Sequence, residues 1–312
     1  MGSRIKENSN KKNRKWLKIF ISLFVVLFLS VGAYVYTVYN SLTNAVETMH
    51  QPIERQKSEK RTEEVTFQKK DPFSVLLLGV DEREGDRGRS DTMIVMTVNP
   101  NKESVQMVSI PRDTRTEIIG KGFEDKINHA YAFGGVEMSM DTVENLLDIP
   151  IDYYIQINME GFKDIVDAVG GVTVENDMDL TFKNYYFPEG TLNLDGDNAL
   201  IYSRIRKEDP RGDFGRQKRQ REVIQAVINK GASFSSLTKF DDVFGALGNN
   251  VKTNLTFNEM ISIQKNYANA RKNISQSQVK GTGTKIDGIY YFLVPKEELS
   301  TLQTTLKENL EI

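Results

Sequence analysis

Short apolar runs alternate with amphipathic segments along most of this 312-residue chain. The first run, FSVLLLGV at Phe73–Val80, is continuously apolar, which is typical of a buried strand. Strands that alternate with helices predict one α/β layered domain with a mainly buried sheet and no domain boundary after residue 71. Further strands are predicted at 91–98, 104–110, 152–158, 172–174 and 286–294, and helices at 138–147, 160–169, 195–202, 214–229, 237–247, 258–270 and 296–310.

The longest apolar stretch, 19–39, precedes this domain and contains no charged residue. About 20 apolar residues suffice to cross a bilayer as a helix, so the stretch predicts a transmembrane anchor. The tail 1–18 carries seven Lys or Arg and one acid, which places it in the cytoplasm and the rest of the chain outside. A cleaved signal peptide is the alternative, but its apolar region is shorter and is followed by small residues. We therefore expect a single-pass protein of the cell membrane.

The segment 40–70 is polar and rich in charge, and it includes Pro52. It predicts a partly helical, extracytoplasmic stalk. The residues 71–312 have the composition of a folded domain, and this domain carries the candidate chemistry.

Composition narrows that chemistry. The chain has no cysteine, which excludes disulfides and thiolate metal sites. Only two histidines are present, which argues against histidine-based catalysis, and His129 is interpreted as a hydrogen-bonding core residue or an acid/base group. The sequence also lacks a Walker loop, a Gly-x-Ser-x-Gly elbow and an HExxH motif.

One segment, 204–221, is strongly basic, although the whole chain has a net charge of only -2. On a helical wheel of about 100° per residue, Arg216 and Gln220 share an arc with the apolar positions that follow them. A buried guanidinium requires a carboxylate partner or an anionic ligand. The alternative is a solvated basic start of a helix. Lys207, Lys218 and Arg221 are interpreted as solvated or polymer-facing charges.

Acidic residues mark the ends of two predicted strands. Asp81 leaves the first strand and Asp91 enters the second, so their carboxylates are expected to lie close together. Oxygen ligands of this kind suit Mg²⁺. The alternative is a solvated loop whose acids pair with neighbouring arginines. Arg112 follows the third strand, at the sheet edge where α/β proteins bind ligands, or else is a plain edge arginine.

Together these residues resemble the LytR-CpsA-Psr family, and among its members the wall teichoic acid ligases of Gram-positive bacteria. The resemblance runs in order from about residue 71 to the C-terminus, and the basic tail and single anchor match as well. It rests on five blocks: Leu78-Gly79-Val80-Asp81-x-Arg83, Arg89-Ser90-Asp91-Thr92-Met93, Ser109-Ile110-Pro111-Arg112-Asp113-Thr114, Lys126-Ile127-Asn128-His129-Ala130-Tyr131, and Arg204-x-Arg206 leading to Asp213-Phe214-x-Arg216-x-x-Arg219-Gln220.

The resemblance implies a three-layer α/β/α sandwich around a mixed central sheet. It implies a phosphotransferase that moves an anionic glycopolymer from undecaprenyl pyrophosphate to the C6 hydroxyl of N-acetylmuramic acid in peptidoglycan. A phosphodiester forms and undecaprenyl phosphate leaves. The polyprenyl tail requires an apolar tunnel, which the helices after Asp213 could line.

Residue by residue, the resemblance implies that Asp81 and Asp91 hold Mg²⁺ or Mn²⁺, and that Asp213 lies near the reacting phosphate as a base or as an orienter of arginine. It implies catalytic roles for Arg112 and Arg216. The residues that it implies for gripping the pyrophosphate are Arg83, Arg112, Lys126, Arg204, Arg206, Arg216 and Gln220.

Two other functions remain open from the sequence. A pyrophosphatase would use water in place of the sugar hydroxyl. A regulatory protein, such as a transcriptional attenuator, would use the basic run as a nucleic-acid patch. The predicted topology argues against nucleic acid as a partner, because it places that run outside the cell.

Overall fold

A six-stranded mixed sheet forms the centre of the computed structural model, which describes residues 24, 27–30, 32–34, 36–37, 39–41, 43–55, 57–81, 88–231, 247 and 250–312. Its strands are β1 (Phe73–Val80), β2 (Ser90–Asn99), β3 (Ser104–Ser109), β6 (Tyr153–Ile157), β11 (Val251–Thr253) and β12 (Asn273–Gln278). Their order in the sheet is β11-β6-β1-β2-β3-β12. The strand β1 pairs antiparallel with β2 and parallel with β6, so the sheet is mixed, as the family resemblance implies.

Helices cover both faces of this sheet. Because side chains alternate along a strand, Leu76 and Leu78 of β1 lie in one core and Val75 and Leu77 lie in the other. The first core is closed by α1 (His129–Leu147) and α6 (Lys296–Leu310). The second is closed by α4 (Asp213–Gly231) and α5 (Phe257–Asn266). The layers are therefore helix, sheet and helix.

A third core lies beside the second and is shared with α4. It is built by α2 (Met159–Ala168), α3 (Gly196–Arg204) and the two-stranded sheet of β7 (Val172–Asn176) and β10 (Gly190–Leu194). Val223 and Val227 of α4 pack into this third core, whereas Ile224 and Ile228 pack against the sheet. The helix α4 is thus covered on two sides.

Three short hairpins complete the fold. They are β4 (Arg115–Ile118) with β5 (Phe123–Lys126), β8 (Leu180–Phe182) with β9 (Tyr185–Phe187), and β13 (Thr282–Ile286) with β14 (Ile289–Leu293). The strand predicted at 286–294 is present but begins later, at Ile289, because Ile286 ends the preceding strand β13. Asp287 and Gly288 both have positive φ, 49° and 80°, so the chain turns there.

Several predicted helices are confirmed, and local capping explains where two of them begin. The side chains of Asn158 and Asp195 accept hydrogen bonds from backbone N–H groups at the starts of α2 and α3. The helix predicted at 258–270 ends earlier, at Asn266, and a 3₁₀ turn follows at Ala268–Lys272. The helix predicted at 237–247 lies outside the described residues except for Leu247.

The helix predicted at 138–147 begins at His129, nine residues earlier. It is kinked where Gly134 and Gly135 leave helical geometry. This kink interrupts the helical period of the sequence, so the period predicts only the part of the helix that follows it.

The segment 40–70, predicted as a stalk, packs against the domain over much of its described length. Val46 and Met49 are buried with Leu247 and Val251. Arg61 forms an ion pair of 2.7 Å with Asp152, and Phe67 belongs to the second core.

The predicted anchor at 19–39 begins outside the described residues, and those described between 24 and 41 are helical. Within the part of the chain that the structure describes, no helix combines the length and the apolar character needed to span a membrane.

Candidate active site

A β-bulge places Asp91 at the end of the central sheet. Val80 is paired with Ser90 and Gly79 with Thr92, so Asp91 is the extra residue between them. The strands approach closely here, because a Cβ on Gly79 would lie 2.9 Å from Cβ of Thr92. A bulge re-aims a side chain at the end of a ladder, and Asp91 here lines the same cavity as Asp81.

Arg112 joins this edge from the end of β3. Its Nη1 donates a hydrogen bond to Oδ1 of Asp91 at 2.6 Å, and its Nε lies 3.7 Å from Oδ2 of Asp113. Burial alone would lower the pKa of Arg112, but the hydrogen bond and the negative charge of Asp91 outweigh it and raise that pKa. The guanidinium is therefore held charged at the sheet edge.

The first turn of α4 contributes a second arginine. Nη2 of Arg216 lies 2.6 Å from Oδ1 of Asp213, and Nε of Arg206 lies 3.6 Å from the same oxygen. Nη2 of Arg216 also donates to the backbone carbonyl of Asp91 at 3.4 Å. This contact ties α4 to the bulge.

Arg216 is an under-compensated cation. Burial lowers its pKa, and the positive charges of Arg112 and Arg206 lower it further, although the charge of Asp213 opposes them. Its buried Nε finds no hydrogen-bond partner among the residues that the structure describes. A buried, unpartnered N–H group of a guanidinium that lies beside two further arginines is a place where an anion would be stabilised.

A cavity of about 310 Å³ opens at this point. Its polar side carries Asp81, Asp91, Arg204, Arg216 and Gln220. The remainder is mainly apolar, and its lining includes Leu77, Val80, Ile157, Phe162, Leu200 and Ile224. The cavity can therefore accept a ligand with an anionic head and an apolar tail. Helices α2, α3 and α4 all contribute to its lining.

Most of the residues predicted for the site come together here. Five line the cavity. Arg112 contacts Asp91, Asp213 contacts Arg216, and Arg206 contacts Asp213. Lys126 lies one step further out, with Nζ 2.8 Å from Oδ1 of Asp113, and does not line the cavity. Arg83 lies outside the described residues. His129 is bonded through Nδ1 to Asp125 at 2.7 Å.

Asp81 and Asp91 fit a hard divalent cation in their chemistry. They offer carboxylate oxygens only, and the described residues contain no cluster of three or more His, Cys, Asp or Glu. Mg²⁺ is commonly bound through one or two carboxylates together with water and substrate phosphate, which matches a two-carboxylate set. Asp81 and Asp91 are the residues that would hold it.

The interpretation of Arg221 as a solvated charge is wrong. Arg221 is 5 % exposed, and its Nη1 donates to Oγ of Ser109 at 2.7 Å. Arg219 is also buried, at 1 %, and pairs with Asp209. Sequence reasoning missed both roles because a wheel identifies one apolar arc, whereas α4 is covered on two sides.

Comparison with known proteins identifies the family of this chain. The LytR_cpsA_psr family model matches residues 35–308. The chain therefore belongs to the LytR_cpsA_psr family, and the resemblance stated above is confirmed.

Individual relatives are similar over nearly their whole length. A Bacillus subtilis (strain 168) protein named polyisoprenyl-teichoic acid–peptidoglycan teichoic acid transferase TagU is 53 % identical over 98 % of this chain and 100 % of its own. The crystal structure of B. subtilis TagU is 55 % identical, covers 78 % of this chain and 98 % of that chain, and has a TM-score of 0.65. A structure of TagT bound to LIIa-WTA is 34 % identical, covers 84 % and 100 %, and has a TM-score of 0.73.

Proposed function

We propose that this protein is a phosphotransferase that attaches an anionic glycopolymer, wall teichoic acid, to peptidoglycan from an undecaprenyl-pyrophosphate carrier. One observation carries the proposal: arginines and two aspartates line one cavity together with mainly apolar side chains. The relative named as such a transferase, which is 53 % identical along nearly all of the chain, supports the same substrate class.

The cavity has parts that suit the two ends of such a carrier. The apolar lining receives the first isoprene units of the tail, because apolar surface is stabilised by removal from water. Arg204, Arg216 and Gln220 donate to the pyrophosphate oxygens, and Arg112 reaches them beside Asp91. Lys126 lies further from the cavity and belongs to the same cationic group, because it donates a hydrogen bond to Asp113 beside Arg112.

The reaction is a displacement at phosphorus. The acceptor hydroxyl oxygen bonds to the phosphorus atom that carries the polymer, and the bond from that phosphorus to the bridging oxygen breaks. Undecaprenyl phosphate leaves with the electron pair, and the hydroxyl proton is released to water. Such a reaction needs mainly positioning and charge stabilisation, which fixed arginines supply.

Each acidic residue has a distinct part. Asp81 and Asp91 would hold Mg²⁺ or Mn²⁺, which neutralises phosphate charge when bound. Asp213 lies between Arg206 and Arg216, so it orients these two guanidinium groups toward the phosphates. Asp91 also orients Arg112 through their 2.6 Å hydrogen bond.

The proposal includes the membrane anchor at 19–39, with the N-terminus in the cytoplasm and the domain outside. A lipid-linked donor is confined to the membrane, so an anchored enzyme meets it at the surface. Phe24, Leu27 and Phe28 are more than half exposed, at 64 %, 62 % and 73 %, as expected of side chains that face lipid. A reporter fused at residue 312 that is active in the cytoplasm would refute this topology.

The test uses the full-length chain in detergent with lipid-linked polymer, peptidoglycan oligomer and Mg²⁺. Linked product is expected, and it should depend on Mg²⁺ and decline strongly in Asp91→Ala and Arg216→Ala. Lys218→Met is the matched control, because Lys218 lies on the same helix but pairs with Asp177 at the surface. Release of lipid phosphate without acceptor would indicate a pyrophosphatase instead, and unchanged activity in both site variants would refute the proposed roles.

A further inference from the structure

Arg219 joins helix α4 to the loop that precedes it. Its side chain is 1 % exposed, and its Nε donates to the carbonyl of Tyr202 at 3.1 Å. Nη2 donates to the carbonyl of Ile205, and Nη1 lies 2.5 Å from Oδ2 of Asp209. One guanidinium therefore contacts the chain before Arg204, between Arg204 and Arg206, and after Arg206.

Asp209 is seated against α4 at Gly215. A Cβ on Gly215 would lie 1.9 Å from Oδ2 of Asp209, so only glycine leaves room for this carboxylate. Asp209 also accepts from the backbone N–H of Arg211 and from its side chain, at 2.8 and 3.0 Å. The loop is thus closed onto the first turn of the helix.

Arg221 makes a corresponding contact on the other side of α4. Its Nη1 donates to Oγ of Ser109, and among the described residues no carboxylate pairs with it. Ser109 ends β3, three residues before Arg112. Burial lowers the pKa of Arg221 to about 10, although the negative charge of Glu222 opposes this shift, and folding tolerates that cost for the contact with Ser109.

We infer that Arg219 and Arg221 are positioning residues for the anion site. Arg219 fixes the loop that carries Arg204 and Arg206, and Arg221 fixes the end of the strand that carries Arg112. Both residues fix these segments in position relative to Arg216, because Arg216, Arg219 and Arg221 all project from α4. The inference rests on the proposed function insofar as the site binds pyrophosphate.

The chemistry of arginine explains why lysine would not replace Arg219. Its planar fork of five N–H donors reaches two carbonyls and a carboxylate at once, whereas one ammonium on a flexible stem cannot span them. Partners that orient ligand-binding groups typically contribute about 10- to 100-fold to affinity or activity, as outer partners of metal ligands do.

The experiment measures binding of inorganic pyrophosphate with Mg²⁺ to the full-length chain in detergent by calorimetry, together with thermal unfolding. Arg219→Lys keeps the charge and is expected to weaken binding by at least about tenfold. Ser109→Ala removes the contact of Arg221 but not its charge, and a smaller, severalfold loss is expected. Asp209→Asn provides a second test of the loop should Arg219→Lys fail to fold.

Two controls separate positioning from general loss of stability. Val143→Ala removes buried apolar volume on the opposite face of the sheet and should lower the Tm without changing affinity. Lys218→Met changes an exposed cation of α4 and should change neither.

The outcomes are distinct. Failure of the wild-type chain to bind pyrophosphate would overturn the proposed function. The positioning roles would then also be overturned, because there would be no pyrophosphate site to position. Wild-type binding with unchanged affinity in both Arg219→Lys and Ser109→Ala would overturn only the positioning roles. The positioning roles would also be overturned if Arg219→Lys and Ser109→Ala lost no more affinity than a Val143→Ala protein of equal Tm.

Discussion

Two arginines three residues apart on α4 are in opposite situations. Arg219 is 1 % exposed as a side chain, and each of its three guanidinium nitrogens has a partner, namely two carbonyls and the carboxylate of Asp209. Arg216 is 12 % exposed and has one close carboxylate, an orphaned Nε and two neighbouring cations. The helix therefore carries a saturated arginine that serves the fold and an unsaturated one that can serve a ligand.

This difference indicates how the site is built. A cationic site that binds an anion has to keep like charges close together before the ligand arrives, and this destabilises the free protein. The saturated cluster of Arg219, Asp209 and Arg211 stabilises the segment that bears those charges. Four measurements can test this contrast between Arg219 and Arg216.

The largest effect is expected for the saturated arginine. Replacement of Asp209 by Ala leaves Arg219 buried and without its carboxylate, so the free energy of unfolding should fall by about 3–5 kcal/mol. Urea denaturation measures this. A loss below about 1 kcal/mol would mean that the cluster contributes no more than a surface pair.

Arg216→Ala should affect activity and leave stability intact. Loss of one fixed donor at the reacting phosphate should lower kcat/KM by about 10²–10³, equivalent to about 2.7–4 kcal/mol. The Tm should stay constant or rise, because an under-compensated buried cation is removed. Steady-state transfer assays measure kcat/KM, and thermal unfolding measures the Tm. A large fall in Tm would make Arg216 a second structural arginine and remove the contrast.

The surface end of the cluster should respond to pH. Hydrogen bonds from Arg211 and Lys218 lower the pKa of Asp177 to about 2. This value lies below the unfolded value of about 3.9, so the stabilisation is complete above about pH 4 and is lost as the pH falls through 2. Because Asp177 is 40 % exposed, the contribution should be at most about 1 kcal/mol. Asp177→Asn should flatten the stability profile between those pH values, and an unchanged profile would contradict the ion pairs.

The smallest effect is expected for Lys218→Met. Lys218 is 37 % exposed as a side chain, so its removal should change the free energy of unfolding by no more than about 0.5 kcal/mol. Activity should be retained. A larger change in either quantity would show that the exposed side of α4 also takes part in the site.

Much of the fold follows from local patterns. The strand Phe73–Val80 and the helix Lys296–Leu310 have the predicted bounds, because a continuous apolar run and a helical period each identify one element. The edge strand β12, with the sequence NISQSQ, was missed since it has no apolar run, and only pairing with β3 makes it a strand.

For the site, motifs and helical period predict the family, the inward direction of Arg216 and Gln220, and the convergence of Asp81 and Asp91, which line one cavity. These depend on motif and period, which are local properties. Three features depend on tertiary contacts: Arg219 and Arg221 are buried, Asp91 occupies a bulge, and Arg112 donates a hydrogen bond to it. Burial and pairing depend on which segments cover a helix or meet at a sheet edge, and the spacing along the chain does not carry that information.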